Sequence, residues 1–322
     1  MAQRNLFQFP KGTLAGMSRR EFLKWQAKGA CAMAACAGGI LMPSGLWADV
    51  GCDIGLAKGD PAAATRAAVG LVGGMEAYVK PGDKVVIKPN FSFANPPEMA
   101  TTTHPLVVSS LVAMCKEAGA DRVRVLDHPL NSVELCLQQT GISTACQAID
   151  PNAVHAVVDR RLYAETEISQ GKAFRTTDVM KDVLEADVLI AAPVAKSHGS
   201  TGVSLSMKGM MGLIWERGIM HYRFDLNEAI VDLCTLLKAD LAVIDATRVL
   251  TTNGPSGPGK VDILNTVIAS PDMVAADAQA VTISTWYGRS FRPNQVKHIK
   301  LAAERGLGRL DIENLRVKRV EI

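Results

Sequence analysis

The feature that most constrains the fold is an alternation of short β-branched runs with helical segments, which continues from Lys84 almost to the end of the chain. Each run has the length of a strand, and the segment that follows has apolar residues at helical spacing. Parallel neighbouring strands need a long crossover, usually a helix, whereas antiparallel neighbours need only a turn. The alternation therefore predicts an α/β fold: a mostly parallel, Rossmann-like sheet covered by helices on both faces.

The predicted elements form one domain over residues 49–322. The predicted strands are Lys84–Lys88, Arg122–Leu126, Val154–Val158, Val188–Ala192, Leu241–Ile244, Leu264–Ala269 and an edge strand Leu315–Val320. The predicted helices are Pro61–Val79, Val107–Glu117, Ser132–Gln139, Val179–Leu184, Leu226–Leu237, Met273–Trp286 and Gln295–Arg305. The polar stretch Arg160–Thr177 shows neither the helical nor the strand hydrophobic period. We expect it to form a hairpin, which would make residues 154–180 a small extra lobe.

The N-terminal segment predicts export. Ser18–Lys24 reads S-R-R-E-F-L-K, which matches the twin-arginine (Tat) export pattern, and the apolar run Gly29–Met42 follows it. That run is shorter than the roughly 20 residues a spanning helix needs, so we expect no permanent membrane span. We expect the Tat translocase as a partner during export, cleavage after Ala48, and a periplasmic or otherwise exported protein. Lipoprotein processing at Cys36 is the alternative.

The export route raises the expectation of a metal, an iron–sulfur cluster or an organic cofactor, because Tat substrates generally cross the membrane folded. The cysteines do not supply a cluster site, since the chain has no C-x-x-C spacing. Cys115 and Cys234 lie in apolar helical patterns and are expected to be buried thiols. The sequence also allows one disulfide, between Cys136 and Cys146.

Charge excludes a nucleic-acid surface. Of the 35 Lys and Arg residues, six lie in residues 1–48, together with one of the 32 Asp and Glu residues. The remaining 274 residues therefore hold 29 basic and 31 acidic side chains, a formal charge of −2. They show no basic stripe interleaved with aromatic residues, so we expect no nucleic-acid partner.

The candidate site follows from the strand ends, because ligands of open α/β sheets bind beyond the carboxyl ends of the strands. Reactive side chains follow four predicted strands: Lys88 and Asn90; Asp127 and His128; Lys196 and His198; Asp245, Thr247 and Arg248. The loops Phe91–His104 and Arg248–Lys260 leave from the same ends and are candidate lids. Asp277, in an apolar helix, is expected to brace the loop near Pro271.

The stretch after Val188–Ala192 adds glycines and hydroxyl residues, which suit close approach to an anion, although they are also ordinary loop residues. The candidate catalytic residues are His198, Lys196 and His221. The candidate ligand-binding residues are Lys88, Asn90, Thr201, Ser204, Ser206, Lys208 and Asp245. His198 and His221, with Asp127 or Asp245 as third ligand, are the candidate metal ligands.

These motifs resemble the family named domain of unknown function 362. The resemblance covers Lys84 to the C-terminus: K-P-N at Lys88–Asn90, T-T-T-H-P at Thr101–Pro105, K-S-H-x-x-x-G-V-S-L-S-M-K-G-M-M-G from Lys196 to Gly212, and P-D-M-V-A-A-D at Pro271–Asp277. It implies redox surroundings, with a ferredoxin-type protein as a candidate partner. Val194 and Gly209 depart from the family pattern, which usually has Lys and Asn there.

The sequence therefore predicts an exported α/β protein that binds a small anionic substrate or cofactor in a crevice lined by Lys and His, where it performs proton-transfer or redox chemistry. Two alternatives remain open. One is a non-enzymatic accessory protein that handles a metal or iron–sulfur cofactor for a redox partner, and the other is a periplasmic solute-binding protein. Motifs for nucleotide hydrolysis, dinucleotide binding, serine hydrolysis and zinc proteolysis are absent from the sequence.

Overall fold

The computed structural model describes residues 52–322. The export signal, its cleavage after Ala48 and the lipoprotein alternative at Cys36 fall in residues 1–51 and lie outside the described residues. Within the described part of the chain, no helix combines the length and apolar character needed to cross a bilayer.

One mixed sheet organises the described residues, and it confirms the predicted α/β class. Ten strands form this sheet, with eight of them in the order β12-β1-β11-β10-β7-β2-β3-β4. The described residues contain twelve strands, of which β5 and β6 form a separate pair: β1 (Ile54–Lys58), β2 (Lys84–Pro89), β3 (Arg122–Asp127), β4 (Val154–Ala156), β5 (Tyr163–Glu167), β6 (Thr176–Met180), β7 (Val188–Ala192), β8 (Val194–His198), β9 (Gly202–Ser204), β10 (Leu241–Leu250), β11 (Val261–Ser270) and β12 (Val317–Glu321). The pairs from β10 through β4 are parallel, as is β1 with β12, whereas β11 is antiparallel to both of its neighbours.

Helices cover the sheet, and several of them have an aspartate as the N-terminal cap. The helices are α1 (Pro61–Leu71), α2 (Pro105–Glu117), α3 (Val133–Gln139), α4 (Ile142–Gln147), α5 (Lys181–Glu185), α6 (Ser206–Gly209), α7 (Ile219–Tyr222), α8 (Leu226–Leu236), α9 (Met273–Val281) and α10 (Lys297–Glu304). Asp60, Asp225 and Asp272 each accept hydrogen bonds from two backbone N–H groups in the first turn of α1, α8 and α9. These side chains satisfy donors that the helix itself leaves unpaired.

The central strand β7 shows why helices must lie on both faces of the sheet. All five of its residues are buried. Leu189 and Ala191 belong to one hydrophobic core, while Val188, Ile190 and Ala192 belong to the other. Alternate side chains of a strand point to opposite faces, so a continuous apolar run requires cover on both.

Several predicted boundaries were wrong. Residues after Pro193 form the strands β8 and β9, a short antiparallel pair, instead of a loop. The strand β10 continues to Leu250 and pairs with β11, so Thr247 and Arg248 lie within a strand. Val179 and Met180 end β6 and do not begin a helix, and α9 stops at Val281, short of Trp286.

Two further differences concern the middle of the chain and the cysteines. The predicted hairpin between Arg160 and Thr177 exists as the antiparallel pair β5–β6, but its side chains, including Tyr163 and Val179, pack into the same core as the main sheet. The five cysteines of the described residues are free, so Cys136 and Cys146 form no bridge. Cys115 and Cys234 are buried thiols, as predicted.

The order of the parallel strands fixes where a ligand can enter. From β2 the chain crosses to β3 on one side, whereas from β7 it crosses to β10 on the other. The direction of winding therefore reverses between β2 and β7. The loops at the carboxyl ends of these two strands diverge at such a switch point and leave a crevice between them.

We expect Ile190→Ala to lower the free energy of unfolding by about 2–5 kcal/mol, because it leaves a cavity at the centre of the sheet. Ile190 is fully buried, whereas Ile263 on β11 is 63% exposed. Urea unfolding followed by circular dichroism measures both changes. An effect of Ile263→Ala as large as that of Ile190→Ala would contradict the assignment of β7 as the central buried strand.

Candidate functional site

A cleft of about 260 Å³ lies at the switch point, beyond the carboxyl ends of β2 and β7. The cleft is lined by residues from two main stretches. Residues 88–93 come from the end of β2 and the loop after it, and residues 196–212 come from β8, β9, α6 and the turn after α6. Its lining is Lys88, Asn90, Ser92, Phe93, Leu130, Lys196, His198, Ser204, Lys208, Gly209, Met211, Gly212, Arg217, Gly218, His221 and Pro255.

Lys88 and Asp127 form a buried ion pair at the base of the cleft. Lys88 Nζ lies 3.1 Å from Asp127 Oδ1, and it also donates to the carbonyl oxygen of Pro89. The Asp127 carboxylate further accepts hydrogen bonds from the Phe91 N–H and the Ser92 hydroxyl, both at 2.9 Å. Burial lowers the pKa of Lys88, and the adjacent carboxylate opposes that effect. Lys88 therefore carries a charge that Asp127 already compensates.

Lys196 is also buried, and its ammonium group meets neutral partners. Its Nζ donates to the Thr101 carbonyl oxygen at 2.6 Å and lies 4.6 Å from the centroid of the Phe93 ring. The Asn90 amide, in the orientation that satisfies both of its hydrogen bonds, accepts from Lys196 Nζ at 3.1 Å and donates to Thr101 at 3.3 Å. Burial lowers the pKa of Lys196 well below its ordinary value, and the nearby charges of Lys208, Lys88 and Arg217 lower it further. A carbonyl, an amide oxygen and an aromatic face are nevertheless partners that suit a cation.

Lys208 lies on α6, whose start is held by Asp277. The Asp277 carboxylate accepts from the backbone N–H groups of Ser206 at 2.8 Å and Met207 at 3.0 Å. Asp277 therefore acts as a brace, but it supports the turn that carries Lys208, and Asp272 is the residue that caps α9 near Pro271. Burial raises the pKa of Asp277 to about 7.

The Lys208 amino group has no strong hydrogen-bond acceptor among the described residues. Its one hydrogen bond in the described structure is to the thioether sulfur of Met211 at 3.5 Å, and sulfur is a weak acceptor. Burial, followed by the nearby Arg217 charge, lowers the pKa of Lys208 to about 7. Near neutral pH the side chain is thus divided between ammonium and amine.

Arg217 is a functional candidate that the sequence did not reveal. Its guanidinium lines the cleft, donates to the His128 carbonyl oxygen at 2.6 Å, and has its pKa lowered by burial. Arg217 lies between α6 and α7 in a stretch without helix or strand periodicity, so no sequence pattern placed it at a strand end. Leu130 and Met211 were also not singled out from the sequence, whereas Ser92, Phe93 and Pro255 belong to the two loops predicted to leave from the strand ends.

His198 and His221 lie side by side in the cleft. Their rings stack with centroids 6.0 Å apart and an angle of 28° between planes. The Ser200 N–H donates to His198 Nδ1 at 3.2 Å, so a neutral His198 carries its proton on Nε2. Burial and the charge of Lys208 lower the pKa of His198 to about 3 and also lower that of His221. Both rings are therefore neutral at pH 7 and act there as hydrogen-bonding groups.

Metal ligation by these histidines lacks the third ligand that was expected. Asp127 is paired with Lys88, and Asp245 is paired with Arg248 at 2.9 Å and accepts from the His104 N–H at 2.7 Å. Among residues 52–322, no three His, Cys, Asp or Glu side chains are grouped so that they could hold a metal ion. The proposed set of His198, His221 and Asp127 or Asp245 is therefore not assembled.

Most of the predicted ligand-binding residues reach the cleft, but three do not line it. Lys88, Asn90, Lys196, His198, Ser204, Lys208 and His221 do. Thr201 instead donates to the Val203 carbonyl oxygen at 2.9 Å. Ser206 is buried on α6, and Asp245 organises the neighbouring backbone through Thr247 and His104. These three residues support the site and do not line it.

The two candidate lid loops are joined to each other and to the sheet. Asn95 Nδ2 donates to the Ser256 carbonyl oxygen at 3.1 Å, Arg248 donates to the Pro97 carbonyl oxygen, and the Gly254 N–H donates to the Ser197 hydroxyl at 3.0 Å. A Cβ at Gly254 would lie 1.9 Å from the Ser197 carbonyl oxygen, so only glycine fits. Pro255 at the tip of the second loop then forms one wall of the cleft.

The fold and the site together define an α/β protein with a cationic cleft at a topological switch point. The family model described as Domain of unknown function (DUF362) matches residues 85–282, and the chain belongs to that family. The match lies within the region that carried the resemblance, and it contains every residue that lines the cleft.

Two further proteins are similar to this chain. Thylakoid-associated protein sll1697 of Synechocystis sp. is 29% identical over 226 residues, which are 67% of this chain and 67% of that protein. The lactate racemase apoprotein from Thermoanaerobacterium thermosaccharolyticum superposes with a TM-score of 0.43 and 13% identity over 70% of this chain. The matched part is 55% of that structure, so the chain spans about half of its length.

We expect Gly212→Ala to disrupt the base of the cleft. An added Cβ would lie 2.4 Å from Asp127 Oδ1 and 2.5 Å from Lys88 Cε, so the ion pair would have to shift. Such overpacking costs about 1–3 kcal/mol of stability, which chemical denaturation measures. Gly199→Ala is the matched control, because a Cβ there meets nothing within 4 Å. Equal stability of the two variants would contradict the close packing at Gly212.

Proposed function

We propose that this protein binds a small anionic substrate or cofactor in the cationic cleft and promotes proton transfer on it. The observation that carries the proposal is a charge imbalance. Among the described residues that line the cleft there are four cationic side chains, Lys88, Lys196, Lys208 and Arg217, and no carboxylate. Asp127 pairs with Lys88 alone. Buried charges without a counter-charge are costly, and a bound anion would supply that counter-charge.

The walls favour a small organic anion. The apolar side chains of Phe93, Leu130, Met211 and Pro255 share the cleft with the cations. Ligand sites commonly combine such apolar walls with a few convergent polar groups. His198 and Ser204 add neutral hydrogen-bonding groups, and Lys208, with its pKa of about 7, is suited to exchange a proton near neutral pH. In a small molecule with a carboxylate or phosphate on a short carbon skeleton, the acid group would contact the cations and the carbon skeleton would contact the apolar side chains.

Anion binding is tested by thermal unfolding of the protein with phosphate, pyruvate or citrate added. We expect the melting temperature to rise with anion concentration, because binding to the native state alone stabilises it. Arg217→Leu and Lys196→Met should each weaken binding at least about tenfold, since each removes one charged contact of roughly 1.5–3 kcal/mol.

Lys300→Met is the control for these variants, because Lys300 is exposed on α10 and away from the cleft lining. It should bind anions like the unmodified protein. If folded Arg217→Leu and Lys196→Met also bound every anion as the unmodified protein does, the cleft would not be the binding site.

We also propose export through the twin-arginine pathway, which rests on the S-R-R-E-F-L-K run at Ser18–Lys24 and the apolar segment that follows. Fusion of residues 1–48 to a reporter that acts only outside the cytoplasm tests it. Replacement of both Arg19 and Arg20 by Lys keeps the charge and should abolish export. Reporter activity that persists in the double variant, or in a host without the translocase, would contradict the proposal.

A further inference from the structure

The three lysines of the cleft differ in what surrounds their amino groups. Lys88 faces the Asp127 carboxylate at 3.1 Å. Lys196 donates to a backbone carbonyl and lies over an aromatic ring. Lys208 reaches the sulfur of Met211 at 3.5 Å. An ammonium group has three protons to donate and no acceptor capacity. Strong acceptors therefore engage the amino groups of Lys88 and Lys196, whereas the amino group of Lys208 meets only a weak one.

The backbone that carries Lys208 is held in place, and its side chain lines the cleft. Asp277 holds the backbone at Ser206 and Met207, and the side chain of Lys208 lines the cavity. Arg217 lies close enough for its charge to lower the pKa of Lys208. A lysine that is desolvated and placed beside a second cation is activated as a nucleophile, because its lone pair is available near neutral pH.

We propose that Lys208 is a nucleophilic lysine that captures the carbonyl carbon of a small anionic aldehyde or ketone, such as a 2-oxo acid, as an imine. This inference rests on the proposed anion site, which would hold the acid group of the same molecule. The Lys208 nitrogen forms a bond to the carbonyl carbon, and the carbonyl oxygen takes both amine protons and leaves as water. The step requires no oxidant or reductant.

The surroundings also select which carbonyl compounds can react. Arg217 and Lys196 line the same cleft as Lys208 and carry charge that an acid group on the substrate would neutralise. A neutral aldehyde lacks that attraction. The apolar side chains of Phe93 and Met211 line the same cleft and suit a short carbon chain. Cations close to a nitrogen disfavour its protonation before the substrate arrives. A carboxylate adjacent to the carbonyl therefore brings both the binding group and the reacting carbon to one place.

Reductive trapping tests the imine. The protein is incubated at pH 7 with pyruvate and sodium cyanoborohydride, which reduces an imine to a stable secondary amine, and modified residues are located by peptide mass spectrometry. Lys208 is half amine at its pKa of about 7, whereas an exposed lysine with an ordinary pKa is amine about once in 10³ at that pH. We expect Lys208 to be labelled faster than exposed lysines by a factor on the order of 10²–10³.

Two variants and one competitor make the result decisive. Lys208→Arg keeps a cation but has no nucleophilic amine, and Lys208→Met keeps the approximate length without charge; neither should form the adduct at residue 208 or elsewhere in the cleft. Lys300→Arg should label like the unmodified protein. Propionate, which has the acid group without the carbonyl, should slow labelling by pyruvate and leave no adduct.

The outcomes separate this inference from the proposed anion site. If pyruvate and phosphate raise the melting temperature but no adduct forms at Lys208, anion binding stands and the nucleophile is wrong. An adduct at Lys196, or one that persists in the cleft of folded Lys208→Arg, also overturns the inference. If neither anion stabilises the protein and no adduct forms, both proposals fall together.

Discussion

The Lys88–Asp127 ion pair is the interaction on which the rest of the cleft depends. It joins the carboxyl ends of the adjacent strands β2 and β3 at the base of the site. The same carboxylate fixes the start of the following loop through Phe91 and Ser92. Both charges are buried, so removal of either would leave the other without its counter-charge, which costs several kcal/mol. Gly212 packs against the pair so closely that a side chain there would displace it.

The other wall of the cleft depends on a second buried aspartate with a different task. Asp277 has no cationic partner in the described residues; it holds two backbone N–H groups of α6 and so fixes the direction of Lys208. Asp245 has a similar role within β10, where it binds Arg248, Thr247 and the backbone N–H of His104. Acidic side chains in this protein are thus used to position backbone and cations. The cavity itself is left positive, and that imbalance is what gives it affinity for anions.

The groups that suit this cleft to anion binding also cost stability, because they place charge in a buried volume. Burial lowers the pKa values of Lys88, Lys196, Lys208 and Arg217, which means that the folded chain holds their charges less easily than water would. Charge and burial in the same small volume destabilise the empty site, and sites of function are commonly where such strain persists. A bound anion would offset part of this destabilisation by neutralising the charges. The two neutral histidines add hydrogen-bonding capacity without adding to the repulsion.

The sequence by itself determined the class of fold and the positions of most strands, because a buried parallel strand needs a continuous apolar run and a helix needs its own period. It also placed Lys88, Asn90, Lys196 and His198 at strand ends, and hence in one crevice. Only the tertiary structure decided that Arg217 joins them, that Thr201, Ser206 and Asp245 serve as supports, and that β8 and β9 form a strand pair. Local pattern reports which face of an element is buried, whereas the partner of each amino group depends on residues distant in the chain. The sequence could therefore show that lysines are present, but only folding determined that Lys208 is the one left without a strong acceptor.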